Sequence, residues 1–255
     1  MKKIVFSIVF LLSLLYLKSQ PLIYQWARTT GGTGYGGGNS IVLDGQGGVY
    51  STGSFQDTID FNPGSGVYNL VGQGNSDAYI SKLDVAGNFV WARCYGGNAA
   101  SGIYCAESRA ITTDAIGNVY TTGYFLGTVD FDPGAGIANY TAGLGGTMYL
   151  LKLDAAGNFV WVKIFSGTVN AATIGHSIEI DLNGNIYTTG RFQNGTVDFD
   201  PGSGTINLTP AGSSDMFISK LDVSGNGIWA KNIGGSFAQA WGNCIKTDEL
   251  GNVYT

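Results

Sequence analysis

Beyond residue 22 the chain breaks into short apolar runs separated by turns rich in Gly, Asp and Asn, and no useful helical period appears. The runs return in sets of four. In the first set they are SIVLD (40–44), VYSTGSF (49–55), AYISKLD (78–84) and FVWARCY (89–95), read as strands A, B, C and D. They carry apolar side chains on both faces instead of alternating, the pattern of a sheet covered on both sides. Four-stranded sheets stacked face to face around an axis supply that cover. The predicted fold class is therefore all-β, a β-propeller of four-stranded blades.

The set recurs with a period of about 68 residues. Trp26, Trp91, Trp161 and Trp229 are each followed two positions later by a base: Arg28, Arg93, Lys163 and Lys231. One hairpin recurs as LDGQGGVYSTG (43–53), TDAIGNVYTTG (113–123), IDLNGNIYTTG (180–190) and TDELGNVYT (247–255). A second recurs as AYISKLDVAGNFVWAR (78–93), MYLLKLDAAGNFVWVK (148–163) and MFISKLDVSGNGIWAK (216–231). Each carries D-x-x-G, in which Asp accepts backbone N–H bonds from its own turn and Gly supplies the positive φ that closes it. Asp44, Asp84, Asp114, Asp154, Asp181, Asp222 and Asp248 are assigned this structural role. The Trp series, and Tyr50, Tyr120, Tyr187 and Tyr254, recur at fixed strand positions, which predicts packing between blades, not a sugar platform.

These paired hairpins resemble the SBBP-type β-propeller repeat of bacterial secreted proteins, and the version carrying TVDFDPG looks like one common in Bacteroidetes. The resemblance covers the chain after residue 22. It implies a fold but no activity and no catalytic residues. On this reading residues 20–255 hold a D strand at 23–28, three full repeats and a partial fourth that stops inside strand B. The expectation is an incomplete fragment of a larger propeller, with a four-bladed ring closed by the first D strand as the alternative.

The first residues change the setting. Lys2 and Lys3 precede an apolar run at 4–17, too short for a bilayer core of about 30 Å, so residues 1–19 read as a cleaved signal peptide. An uncleaved anchor is the alternative. The expected location is secreted or at the cell surface. Cleavage leaves ten basic against eighteen acidic side chains, a net of −8, which argues against nucleic acid or an anionic membrane surface as a partner, and no membrane insertion is expected after cleavage. Cys94, Cys105 and Cys244 fit no zinc spacing, and a Cys94–Cys105 pair stays open.

Between strands B and C each repeat inserts a segment (56–76, 126–146, 193–214) holding TIDFNPGSG, TVDFDPGAG or TVDFDPGSG. The flanking apolar runs predict an extra hairpin around a Pro-Gly turn. Asp130 with Asp132, and Asp198 with Asp200, are two residues apart and would lie on one face of a strand; Asp60 and Asn62 hold the same places in the first repeat. Three readings stay open: a structural turn neutralised by the recurrent lysines Lys82, Lys152 and Lys220, a Ca²⁺ site, or direct contact with a partner. No other cofactor is expected.

Strand alternation puts the B–C insertions and the D–A connections on one face. Tyr35, Tyr104, Phe237 and Trp241 lie there outside the repeated aromatic positions, and form the candidate ligand surface. His176, the single histidine, takes the place held by Asn39, Arg109 and Asn243 in the other repeats. No nucleophile accompanies it, and no nucleophile elbow or phosphate loop is present. The leading expectation is a non-enzymatic module that binds a protein or glycan. The alternatives are a hydrolase or lyase acting on extracellular polysaccharide, and a spacer for a further domain.

Overall fold

The computed structural model describes residues 25–97, 106–237 and 239–255. The leader at 1–19, Tyr104 and the Cys94–Cys105 pairing lie outside these residues. The first repeat comprises β1 (Gly31–Gly32), β2 (Gly36–Leu43), β3 (Val49–Phe55), β4 (Thr58–Asp60), β5 (Asn69–Val71), β6 (Asp77–Leu83) and β7 (Phe89–Tyr95). The second comprises β8 (Ala106–Thr113), β9 (Val119–Phe125), β10 (Thr128–Asp130), β11 (Asn139–Thr141), β12 (Thr147–Leu153) and β13 (Phe159–Ile164). The third comprises β14 (Ala172–Ile180), β15 (Ile186–Gln193), β16 (Val197–Asp198), β17 (Asn207–Leu208), β18 (Asp215–Leu221) and β19 (Gly227–Ile233), and β20 (Lys246–Thr247) and β21 (Val253–Tyr254) open a fourth.

Three antiparallel four-stranded sheets result, in the orders β2-β3-β6-β7, β8-β9-β12-β13 and β14-β15-β18-β19. The innermost strands pack in sequence, β2 against β8, β8 against β14 and β14 against β20, so the sheets are blades arranged about a common axis. The cores lie between blades, which explains why the strands are apolar on both faces. Tyr50, Ile80, Trp91 and Tyr95 of the first blade pack with Val119, Phe125, Tyr149 and Leu151 of the second. Tyr120 and Leu150 of the second pack with Phe192, Phe199 and Phe217 of the third.

All seven D-x-x-G turns form as predicted. In each, Asp Oδ1 accepts the N–H groups two and four residues on, as Asp84 does from Ala86 (2.9 Å) and Asn88 (2.8 Å). The turn glycines all have positive φ, from 75° at Gly87 to 83° at Gly117 and Gly251. Six turns add an Asn amide donating to Asp Oδ2. Gly48 replaces that Asn in the first turn, and there Lys82 Nζ sits 3.4 Å from Asp44 Oδ2 instead.

Neighbouring repeats are joined by a clamp. Trp91 Nε1 donates to Ala155 O (3.2 Å) and Arg93 Nε to Gly157 O (3.1 Å), so the end of one blade grips the C–D turn of the next. Trp26 and Arg28 hold the 84–88 turn in the same way, through Val85 O (3.0 Å) and Gly87 O (3.0 Å). The D strand expected at 23–28 is corrected in its described part: residues 25–28 are not a strand, and among the described residues no C strand pairs with them to take their backbone hydrogen bonds. The tryptophan and arginine dock nonetheless.

The predicted inserted hairpins are present as β4–β5, β10–β11 and β16–β17. Each also pairs with the chain leaving the preceding D position, through Gly31↔Asp60, Gly96↔Asp130 and Gly167↔Val197. The insertion is thus a second seam between repeats.

Candidate functional site

Strand A begins earlier than its apolar run suggests, at Gly36 in the first blade, and the A strand of each of the three four-stranded blades contains a β-bulge. The register slips between Gly38 and Ser40, between Ser108 and Ala110, and between Gly175 and Ser177. The residues left unpaired are Asn39, Arg109 and His176. A bulge frees one side chain from the ladder and re-aims it. The glycine that ends each Y-x-T-G motif makes room for it. A Cβ on Gly53, Gly123 or Gly190 would sit 1.8 to 1.9 Å from the carbonyl oxygen of Gly37, Glu107 or Ile174 on the facing strand.

The bulge residues converge on a single cavity of about 580 Å³ at the axis, lined by Asn39, Glu107, Arg109, His176, Arg191, Trp241 and Asn243. The lining uses three places in the repeat. One is the bulge position (Asn39, Arg109, His176, Asn243). The second is two residues earlier, where Glu107 and Trp241 line the cavity and Gly37 and Ile174 do not, and the third follows the strand B glycine, where Arg191 lines it and Ser54 and Tyr124 do not. Around them the framework barely changes. At these three places the repeats differ in size, charge and aromaticity.

The electrostatics are uneven. Arg109 Nε lies 3.0 Å from Glu107 Oε1, an ion pair without hydrogen-bond alignment, and its guanidinium sits over the Tyr124 ring at 5.3 Å. The Arg191 guanidinium stacks on Trp241 at 4.7 Å. His176 Nδ1 donates to Gly242 O (3.1 Å), while Nε2 is buried with no protein partner. Burial, and next the Arg109 charge, push the His176 pKa down, against the opposing effect of the Gly242 bond. Burial and the Arg109 charge both favour the neutral ring, and with Nδ1 donating to Gly242 O, Nε2 is then an acceptor.

Of the four candidate aromatics, Trp241 alone lines this cavity among the described residues, half-exposed. Tyr35 is exposed beside a separate hollow formed with Phe55 and Gln56, and Phe237 is fully exposed. Sequence reasoning noticed the equivalence of His176 with Asn39, Arg109 and Asn243 but not their convergence. It missed Glu107 and Arg191 altogether. The available signal was the glycine of Y-x-T-G inside a strand, a place where a bulge is common.

The acid pairs turn inward on their own loops. Asp130 Oδ1 accepts the N–H groups of Asp132 (3.0 Å) and Ala138 (2.8 Å), and Asp132 Oδ1 accepts that of Gly134 (2.7 Å). Asp60 with Asn62 repeats the pattern toward Tyr68 and Gly64. Asp198 with Asp200 repeats it toward Ile206 and Gly202. The first acid closes the hairpin neck and the second closes the Pro-Gly turn. The lysine pairing is corrected. Lys82, Lys152 and Lys220 lie over Tyr50, Tyr120 and Tyr187 at 4.7, 4.9 and 5.0 Å, near the opposite end of strand B from the insertion. No cluster of three or more His, Cys, Asp or Glu suited to a metal occurs among the described residues.

Fold and repeat together define a β-propeller repeat protein with a polar axial cavity. Residues 160–191 match the beta-propeller repeat family SBBP; this stretch runs from strand D of one blade through strand B of the next and includes Trp161, His176 and Arg191. The chain is also 26% identical over 274 aligned positions to an uncharacterised WD repeat-containing protein of Acanthamoeba polyphaga mimivirus, covering 91% of this chain. It spans 20% of that relative's length.

Proposed function

We propose that the chain is a secreted or surface-displayed propeller module that binds an extracellular protein or glycan at the face carrying the B–C and D–A loops, without catalysis. The observation that carries this reading is the contrast between a constant framework and three repeat-variable positions that meet in one cavity. A rigid scaffold presenting variable polar and aromatic groups is the usual arrangement of a recognition site. Secretion is supported by the basic and apolar leader, and the repeat resembles those of secreted proteins.

The rival, a polysaccharide hydrolase or lyase, is less well supported by the lining. Glycoside hydrolysis generally needs two carboxylates flanking the scissile bond. Glu107 is the one carboxylate among the described residues lining the cavity, and Arg109 neutralises it.

A screen of extracellular proteins and a glycan array tests the reading. Ligands detected with the intact chain are expected to be lost on Arg191→Ala or Trp241→Ala and retained on Phe237→Ala. If every interaction survives the two cavity substitutions, the site assignment is wrong. Turnover of a polysaccharide abolished by Glu107→Gln would establish the enzyme instead.

A further inference from the structure

We propose that the axial cavity seats an acidic sugar, a uronate unit of an oligosaccharide, with its carboxylate on Arg191; this deepens, and rests on, the reading of the chain as a binding module.

The charge balance of the lining points to an anion. Among the described residues the ion-paired bases are Lys82, Arg109 and Lys246, each with a carboxylate of its own. Arg191 has none. It is held instead by its stack on Trp241, which fixes the guanidinium plane and leaves the N–H edge for a carboxylate, the fork-on-fork geometry that arginine favours. Arg28, Arg93, Lys152, Lys163, Lys220 and Lys231 form no ion pair either, but none of them lines the cavity; Arg191 is the cavity base without a carboxylate. With Arg109 offset by Glu107, one positive charge remains. That matches a single carboxylate better than a phosphate ester, whose second charge the lining does not offset.

The rest of the lining selects a hydroxylated ligand. His176 donates through Nδ1 to Gly242 O, so its neutral Nε2 is an acceptor, buried and unpartnered. A buried acceptor needs a donor, and a ligand that displaces water from the cavity must supply it. A sugar hydroxyl supplies one beside the carboxylate, whereas an Asp or Glu side chain of a protein does not. Asn39 and Asn243 bracket the cavity with amides that both donate and accept, which suits neighbouring hydroxyls. The volume, about 580 Å³, lies within the range of small-ligand sites and admits sugar units more readily than a folded partner.

Calorimetric titration of the intact chain with uronate trisaccharides (galacturonate, glucuronate and mannuronate), the matching neutral trisaccharides and triglutamate tests this. At least one uronate is expected to bind, with its neutral counterpart and triglutamate each at least about tenfold weaker. Arg191→Gln should weaken uronate binding by at least about tenfold, Arg191→Lys by less, and added salt should weaken it further. Thermal melts of each variant separate lost binding from lost fold, and Trp241→Leu, which frees Arg191 from its stack, gives a second perturbation. Equal affinity for neutral sugar, equal affinity for triglutamate, no effect of Arg191→Gln in a folded protein, or no uronate binding would each overturn the proposal. If the broader screen still finds ligands that depend on the cavity, only the acidic-sugar assignment falls. If it finds none, the binding-module reading falls with it.

Discussion

Gly123 of strand β9 faces Ser108 of β8 across the bulge, and a Cβ on Gly123 would come within 1.9 Å of the Glu107 carbonyl oxygen. The glycine therefore permits the bulge, and the bulge presents Arg109. Gly123→Ala is expected to destabilise the chain by about 1–3 kcal/mol, the usual cost of forcing an extra methyl into a packed site. Urea denaturation measures it. An unchanged midpoint would mean the strands separate freely at this contact and that glycine is not what shapes the cavity rim.

The same relationship marks how far the sequence could be read. Periodicity located the blades, the seven Asp turns and the inserted hairpins, because each depends on local chemistry repeated in register. The bulge lies at a contact between strands, where Gly123 meets the backbone of Glu107, and no single run of residues displays such a contact. Arg191 was missed for a related reason. It sits in a run, IYTTGRF, that differs from VYTTGYF only at its first and sixth residues, and nothing within that run shows that the fold brings Arg191 to Trp241 across the cavity. The lysines misled in the opposite sense. They recur in step with the acid pairs, yet the strand register places them beside the tyrosines, as in Tyr50↔Lys82.

The clamp between blades predicts unequal tryptophans. Trp91 is 7% exposed, stacks edge-on with Tyr50 and bonds the next turn. Trp91→Ala should cost about 3–5 kcal/mol, as large aromatic truncations in cores do. Trp229 packs on Tyr187 but grips no turn among the described residues, so Trp229→Ala should cost less than half as much. Paired denaturation curves decide it, and equal losses would show that the turn contact contributes little.

Acid should unfold the chain in two stages. The His176 pKa is lowered by burial and by the facing Arg109 and Arg191, with Glu107 opposing, so the native state favours the neutral ring. Its contribution is complete above the unfolded value of about 6.5 and declines as pH falls below it. His176→Asn, which copies the residue of the first and fourth repeats, should flatten that step. A second, steeper loss follows below about pH 4. The Asn88 backbone N–H and amide hold Asp84 below the ordinary carboxylate range, and Asn158 and Asn252 act alike on Asp154 and Asp248. Carboxyls with depressed native pKa values stabilise above their unfolded values and lose that contribution as pH falls. Asp77 works against the trend, since burial raises its pKa. Melting temperatures across pH 3–8 test both stages, and a His176→Asn profile parallel to wild type would remove His176 from the first.

The acid pairs separate a turn from a metal site by one substitution. Asp130 Oδ1 accepts two backbone N–H groups, a task that an Asn carbonyl oxygen also performs, and Asn62 already takes the second place of the pair in the first repeat. If the role is the turn, Asp130→Asn should change stability by less than about 0.5 kcal/mol, while Asp130→Ala, which removes the acceptor, should cost about 1–2 kcal/mol. Chelation should then leave the melting temperature unchanged. A Ca²⁺ ion would reverse the order of importance, because the carboxylate charge is what holds a hard cation and its removal forfeits the stabilisation that binding confers. A melting temperature that falls with chelator, rises again with added Ca²⁺, and no longer responds in Asp130→Asn would therefore assign the repeated TVDFDPG segment to calcium and not to turn closure alone.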